Sequence, residues 1–560
     1  MILNGSQIIV ETLLEQGTDV VFGYPGGAVL NIYDALYDYS DRITHILTSH
    51  EQHAGHAADG YSRTTGKTGV VIATSGPGAT NLVTALATAN MDSIPMVAIT
   101  GNVGTSLLGL DSFQEVDIVS VVKPVTKASF IVKDVTKLAD TIREAFFIAN
   151  DGRKGPVLVD VPKDITAAKC KFENKPVRAH ELTVDENALD KAADILRSAE
   201  RPYIFAGGGV CLSGAEDELK EFADLIDAPV SLSLMGMTAI DNKDSRYLGM
   251  LGMHGTKASS LALTGSDVIV AVGTRFSDRV TCNTDSFADN IKNAKVIHID
   301  IDPKEFDKNV KADCHIRGDV RLALKGLVKR LSKATHEEWT KTYTEWKNAY
   351  PLVQVSDDSE AVLPQYVLET LSELAPDAVI TTEVGQHQMW AAEFFPFRNK
   401  RQLATSGGLG TMGYGFGAAV GAKVGNPGKT VVNIAGDGSF YMNLCELSTL
   451  AKYDMPVIEL VFNNTVLGMV RQWQRLFYNA HFSQTTLEKA TDLDMLGKAF
   501  GVETVTIKKK SEVKEKLSQA LSCGRPVLIN CEIDKDINVL PMVPAGASVA
   551  EPILELKVDA

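Results

Sequence analysis

The turn Gly436-Asp437-Gly438-Ser439, followed downstream by Asn463-Asn464, carries the residues of this chain best suited to chemistry. A carboxylate from Asp437 and an amide oxygen from Asn464 are hard donors, the start of the oxygen shell that Mg²⁺ takes beside a diphosphate. No Gly-Lys-Ser/Thr follows, so this is not a Walker loop. Alone, a Gly-Asp-Gly turn is usually just a turn; paired with Asn-Asn, the ligand reading is favoured. A second group is His50-Glu51-Gln52-His53-Ala54-Gly55-His56. His53 and His56 share a helix face, but His-Glu-x-x-His spacing is missing and no cysteine lies near, so no metal is expected there. Glu51 reads, on its own, as a helix-start carboxylate.

The flanking patterns position these groups. Residues 430–434 form an apolar run typical of a buried parallel strand, and 442–453 carry helical spacing. Asp437 therefore falls where a strand yields to a helix, the ligand edge of an α/β sheet. A second apolar run, 457–462, delivers Asn464 to the neighbouring strand end. Similar short strands (70–73, 96–100, 157–161, 203–206, 268–272, 296–299) alternate with helical patterns throughout, which predicts an α/β protein with parallel sheets. At 560 residues the chain exceeds a single core. We expect three Rossmann-like domains over 1–165, 189–331 and 364–545, with a linker at 169–187 and a surface connector at 336–360.

Composition narrows the function. Hydrophobic content of 45%, charged content of 22% and a net charge of -15 describe a globular protein with no nucleic-acid partner. Lys508, Lys509 and Lys510 alternate with acids and read as a solvated helix face. Seven cysteines without a Cys-x-x-Cys pair suit free, mostly buried thiols. No signal, transit or long apolar segment is present, so no membrane association is expected and the cytoplasm is the expected compartment.

Several separate motifs together resemble one family. They are 21–28 (Val-Phe-Gly-Tyr-Pro-Gly-Gly-Ala), His50-Glu51-Gln52, 75–81 (Ser-Gly-Pro-Gly-Ala-Thr-Asn) and Phe113-Gln114-Glu115 in the first block. In the third come 385–390 (Gly-Gln-His-Gln-Met-Trp), 407–413 (Gly-Gly-Leu-Gly-Thr-Met-Gly), 469–474 (Met-Val-Arg-Gln-Trp-Gln) and 540–543 (Leu-Pro-Met-Val). Across essentially the whole chain, in order and spacing, these look like the catalytic subunits of acetohydroxyacid (acetolactate) synthases, which use thiamine diphosphate (ThDP). The resemblance implies that Glu51 faces the cofactor's aminopyrimidine, with Gly27 and Gln114 near the reaction centre. It implies Asp437, Asn464 and the carbonyl of Val466 as Mg²⁺ ligands. It places Pro77, Asn81, Gln386, His387, Gly410, Gly436, Gly438 and Ser439 along ThDP, with Met442 beneath its bend and Met412 alongside.

The middle block separates the relatives. Gly207-Gly208-Gly209 follows a strand but lacks full dinucleotide spacing. The runs 249–256, 275–280 and 298–303 look like the FAD segments of the family's biosynthetic branch. The implied FAD residues are Arg153, Gly207, Gly208, Met253, His254, Gly255, Arg275, Arg279, Asp300, Asp302 and Asp319. Arginines suit the pyrophosphate and a carboxylate after a strand suits the ribose. The implied substrates are pyruvate and 2-oxobutanoate. Lys127 and Trp473 are the implied substrate residues, Trp473 favouring an ethyl over a methyl group. A homodimer or homotetramer, with one ThDP site shared between two chains, and a small regulatory subunit complete the implied picture. A flavin-dependent pyruvate oxidase, a catabolic acetolactate synthase and a non-catalytic relative are the alternatives. The chain departs from the family at His53, Asn90, Gly417 and Thr465-Val466 without losing a charged catalytic group.

Overall fold

The computed structural model describes residues 1–356, 358–487 and 491–555. It holds three six-stranded sheets, every pairing within them parallel, and a two-stranded antiparallel ribbon. The first sheet runs Thr44–Leu47, Val20–Gly23, Gly69–Ala73, Met96–Asn102, Pro156–Pro162, Ala128–Ile131. The third runs Leu403–Ala404, Val379–Thr382, Val431–Gly436, Val457–Asn463, Val527–Glu532, Glu503–Ile507. Numbered within their own sheets, both follow the spatial order 2-1-3-4-6-5. Sequence similarity between the blocks is weak, so this shared topology is the stronger sign of duplication. The middle sheet (Tyr247–Met250, Val230–Leu232, Pro202–Ala206, Val268–Val272, Lys295–Asp300, Cys314–Arg317) has the order 3-2-1-4-5-6 of dinucleotide-binding folds.

These orders say where ligands go. In each sheet the strand order reverses beside its first strand, and the chain splays there beyond the carboxyl ends of the two strands. In the third sheet the switch strands are Val379–Thr382 and Val431–Gly436, which lead into Glu383–Gln386 and into Asp437. In the middle sheet they are Pro202–Ala206 and Val268–Val272, which lead into Gly207–Gly209 and Gly273–Arg275. In the first they lead into Tyr24–Gly27 and Thr74–Gly78.

The first and third blocks share one apolar core that includes Phe22, Ala57, Tyr61, Phe416, Val420 and Phe440. Its centre is the crossing of helices Glu51–Thr65 and Gly415–Gly425. The two backbones touch there: a β-carbon on Gly421 would lie 1.8 Å from the Ala57 carbonyl oxygen, and one on Gly60 would lie 2.2 Å from that of Ala418. Two of the departures from the family pattern meet at the same crossing, since a β-carbon on Gly417 would lie 2.8 Å from the His53 carbonyl oxygen.

Some expectations need correcting. The stretch 336–360 is not only a surface connector: helix Glu337–Ala349 buries Trp339 and Tyr343, and the Trp339 indole donates to the Pro202 carbonyl at 3.0 Å. The expected linker at 169–187 begins as a strand, Lys169–Lys171, paired antiparallel with Ile2–Asn4. Lys508 to Lys510 are exposed, but at a strand exit and 3₁₀ turn rather than on a helix face. Only Cys314 and Cys531 are fully buried; the other five cysteines are half-buried, and all seven are free. Among the described residues, no helix is long and apolar enough to cross a membrane.

Candidate active site

Asp437 opens a short helix, Asp437–Phe440, directly after its strand and is only 2% exposed. Its oxygens accept from the backbone N–H groups of Gly438 (2.9 Å) and Thr465 (2.7 Å). No basic side chain among the described residues pairs with it, and burial pushes its carboxyl up to about 6. A buried carboxylate without a cation suits a divalent ion. Thr465 brings its N–H to Asp437 by adopting φ 58°, a left-handed conformation that β-branched residues avoid. Asn464, buried beside it, accepts from the Val466 N–H at 3.2 Å.

Around this pair the chain has closed up wherever a glycine permits. A β-carbon on Gly436 would meet the His387 Nδ1 at 2.7 Å, and one on Gly468 would meet the Gln386 Oε1 at 2.0 Å. Gln386 donates to Gln472 (2.9 Å) and the Ile537 carbonyl (3.0 Å), yet its Oε1 has no partner; neither has the buried Nε2 of His387. Such orphaned polar atoms are costly unless a ligand meets them, so the residues fit a polar cofactor. The Ser439 hydroxyl turns back to the Gly436 carbonyl at 3.1 Å.

The loop carrying Gly410 and Met412 is pinned from both sides. Asp92 accepts from the N–H groups of Gly407 (3.1 Å) and Gly408 (2.7 Å) while it also binds the buried Arg63 at 2.9 Å. Glu383 accepts from Gly413 (2.7 Å), Tyr414 (3.1 Å) and Phe416 (3.0 Å). Met412 is half-buried, whereas Met442 is 54% exposed in the single chain.

Glu51 is the first residue of helix Glu51–Thr65, where the macrodipole favours a carboxylate. The Asn81 amide donates to its Oε2 at 2.9 Å, and the missing β-carbon of Gly78 leaves its Oε1 room, 3.2 Å from where that carbon would stand. Pro77 starts the short helix Pro77–Thr80 beside it. Gln114 holds φ 59° and packs its backbone on Gly76, while Gly27 is exposed with open space around it.

A cavity of about 1150 Å³ runs from the switch point of the middle sheet to the third block. That exceeds the usual ~300–1,000 Å³ of a ligand pocket and suits an extended dinucleotide. Of the expected FAD residues, Arg153, Gly208, Met253, His254, Arg275, Arg279, Asp300 and Asp319 line it; Gly207, Gly255 and Asp302 do not, although Asp302 lies 3.5 Å from Arg153. Burial and the neighbouring Arg153 push the Arg275 guanidinium down from its ordinary value, a strain that a pyrophosphate would relieve. Burial raises Asp300 to about 6 and lowers His254 to about 4, and the Nδ1 of His254 is buried without a partner. These groups fit an anionic, polar cofactor.

Gly410, Met469 and Trp473 line the far end of the same cavity. Trp473 packs edge-on against Phe477 (5.7 Å between ring centres) under the Arg279 guanidinium, 6.0 Å from its ring, and its Nε1 is buried without a partner. Lys127 does not line the cavity. Its ammonium donates to the carbonyls of Ile148 and Asp151 (2.6 Å), so it braces the turn that carries Arg153. Sequence reading missed Gly209, Met235, Gly273, Thr274 and Glu305 as cavity residues. Gly273 had a signal, a glycine closing the apolar run 268–272; Glu305, which binds Arg153 at 2.8 Å, had none.

Comparison with known proteins agrees across the whole length. The thiamine pyrophosphate enzyme N-terminal TPP binding domain matches residues 3–121, the central domain 189–327 and the C-terminal TPP binding domain 383–531. A probable acetolactate synthase large subunit of Methanocaldococcus jannaschii is 43% identical over 576 residues, covering 100% of this chain and 96% of its own length. The acetolactate synthase large subunit of Buchnera aphidicola is 42% identical over 571 residues, covering 99% of each. That of Porphyra purpurea is 43% identical over 566 residues, covering 98% and 95%. The chain belongs to the acetolactate synthase large-subunit family. As a member of that family it is a thiamine diphosphate enzyme of α/β fold.

Proposed function

We propose that this chain catalyses the decarboxylation of pyruvate and the transfer of the remaining two-carbon unit to a second 2-oxo acid. A second pyruvate gives 2-acetolactate and 2-oxobutanoate gives 2-aceto-2-hydroxybutanoate, with one CO₂ released each time. These products open branched-chain amino-acid synthesis. The observation that carries the reading is the cation-free, buried Asp437 carboxylate at one switch point, in a chain that also presents Glu51 at a helix start.

ThDP, when bound, supplies the nucleophilic carbon and the electron sink for decarboxylation. Asp437, Asn464 and the Val466 carbonyl would hold Mg²⁺ against its diphosphate, with Gln386, His387, Gly410, Gly436, Gly438 and Ser439 along the chain of contacts. Met412 and Met442 would support its rings. Glu51, oriented by the Asn81 amide at 2.9 Å, would hold and release a proton against the pyrimidine end of the cofactor, the acid–base part of its activation. Gly27, Pro77 and Gln114 shape the space above it. Trp473 presents a flat apolar wall to the acceptor, and Lys127 acts through the Arg153 turn. FAD would occupy the large cavity, its pyrophosphate on Arg153, Arg275 and Arg279. The overall reaction is redox-neutral, so FAD would be structural here.

A site completed by a second copy of the chain, with Glu51 from one copy and Asp437 from the other, belongs to this reading. Beside Gln114, Phe113 is 87% and Leu110 66% exposed, an apolar loop suited to cover by that copy. The relatives are named large subunits, which supports a small regulatory partner. The test is to incubate the protein with pyruvate, 2-oxobutanoate, ThDP and Mg²⁺, identify the products and record the flavin spectrum. Both acetohydroxyacids, with no oxygen uptake, are expected. Oxygen or quinone consumption with acetate or acetyl phosphate would replace the reading with an oxidase.

A further inference from the structure

We propose that His53, Cys445 and Glu446 form a binding site for a divalent ion of the zinc class, pinning the Glu51 helix to the third domain. The three residues come from two domains: His53 lies two residues into the helix that Glu51 begins, and Cys445 and Glu446 lie on the 3₁₀ turn Leu444–Glu446. One donor atom from each converges within 4.8 Å of the others. His53 and Glu446 are buried and Cys445 is half-buried, which leaves one side of the cluster open.

The geometry separates a metal site from a nucleophilic one. In a Cys–His–acid relay the thiol and the carboxylate use the two different ring nitrogens. Here both approach the same atom, Nδ1: Glu446 Oε1 at 2.8 Å and Cys445 Sγ at 3.8 Å. Convergence of three donors on one point is what a cation needs. Bond lengths of about 2.0–2.1 Å to nitrogen, 2.0–2.2 Å to oxygen and 2.3 Å to sulfur give tetrahedral edges of roughly 3.4 Å for N–O and 3.6 Å for N–S. The observed separations reach these values by shifts of about 0.6 and 0.2 Å, within the range of side-chain adjustment. A thiolate with an imidazole and one carboxylate selects zinc over Mg²⁺ or Ca²⁺. The open side beside Cys445 leaves a fourth position for water.

The carboxylate is already held for this task. Ser49 N–H donates to both Glu446 oxygens (3.0 and 3.2 Å) and the Thr449 hydroxyl donates to Oε2. Such outer contacts fix a ligand's orientation. Binding would displace the proton shared by His53 and Glu446 and the thiol proton of Cys445, so the ion replaces a hydrogen bond with a cross-domain clamp.

The test uses the full-length, untagged, reduced protein, stripped of transition metals and supplied with ThDP and Mg²⁺. Zinc is titrated against a chromophoric chelator, and cobalt(II) is followed by absorption. One zinc per chain and a thiolate-to-cobalt charge-transfer band are expected. Cys445→Ser should abolish the band and weaken zinc binding at least a hundredfold, and His53→Gln should weaken it comparably. Cys523→Ser, remote from the cluster, should change neither. Absence of stoichiometric zinc, or a band and affinity unchanged in Cys445→Ser, would overturn the proposal. Circular dichroism of each variant keeps a folding defect distinct from a lost ligand.

Discussion

The crossing of helices Glu51–Thr65 and Gly415–Gly425 makes a sharp prediction for Gly421→Ala. The added methyl would stand 1.8 Å from the Ala57 carbonyl oxygen. A carbon and a carbonyl oxygen in normal contact lie about 3.3–3.6 Å apart, so the helices must part by roughly 1.5 Å. The obstacle is backbone, which cannot rotate away. Overpacking usually costs about 1–3 kcal/mol, and this site belongs at the upper end. Because the two blocks share one core, the cooperative unit is large and about 1–2 °C per kcal/mol applies, so the thermal midpoint should fall by about 3–6 °C. Parting the pair also displaces the helix that presents Glu51, and a 1 Å error at a reacting group can cost about 100-fold in turnover. Gly428→Ala is the control, since Gly428 is exposed and a β-carbon there meets nothing within 4 Å; it should stay within about 0.5 kcal/mol of the parent. Scanning fluorimetry and steady-state kinetics on all three proteins decide the matter. Equal midpoints and equal turnover for Gly421→Ala would refute the close-crossing argument.

Thr465→Gly should relieve the left-handed backbone at φ 58° and stabilise the protein by about 1 kcal/mol, read as a raised thermal midpoint, because that conformation costs a side-chain-bearing residue roughly 1–2 kcal/mol. Trp473→Leu should cut the preference for 2-oxobutanoate over pyruvate by about tenfold or more, since one methylene in an apolar pocket carries about 1–3 kcal/mol; competition assays with both acceptors measure it. Glu459 is fully buried, with both oxygens accepting from the Asn433 amide at 2.9 Å, and burial holds its carboxyl well above the ordinary 4.5. A group whose folded value is raised in this way loses stability as pH climbs from its unfolded value toward the folded one. Glu459→Gln should therefore gain stability over the parent progressively above pH 4.5, and melts across pH 4–8 would show the divergence.

Much of the architecture was legible because buried parallel strands are short apolar runs: 70–73, 268–272 and 457–462 all lie inside observed strands. Glu51 at a helix start was legible from its local chemistry. Where tertiary contacts override local pattern, sequence reading failed. The helix expected over 442–453 starts only at Leu444, as the 3₁₀ turn Leu444–Glu446 followed by Leu447–Lys452, because Asn443 leaves helical geometry and donates to the buried Glu383. The stripe Trp339, Tyr343, Trp346 in the expected connector did carry helical spacing, and the charges around it masked the signal. Cys445 stands beside His53 although 392 residues separate them, which no local pattern reveals. The cavity's acidic partner Glu305 was invisible for the same reason.

In the proposed enzyme, Glu51 of one chain serves the ThDP and Mg²⁺ site built on Asp437 of another. Glu51→Gln alone should lose about 10²–10⁴-fold in turnover, the usual share of a positioned acid–base group, and Asp437→Ala should be inactive. Co-expressing the two variants makes half of the randomly paired dimers mixed, each with one intact site, so activity should return to about a quarter of the parent's. Mixed dimers shown to form but as inactive as either variant alone would contradict the claim.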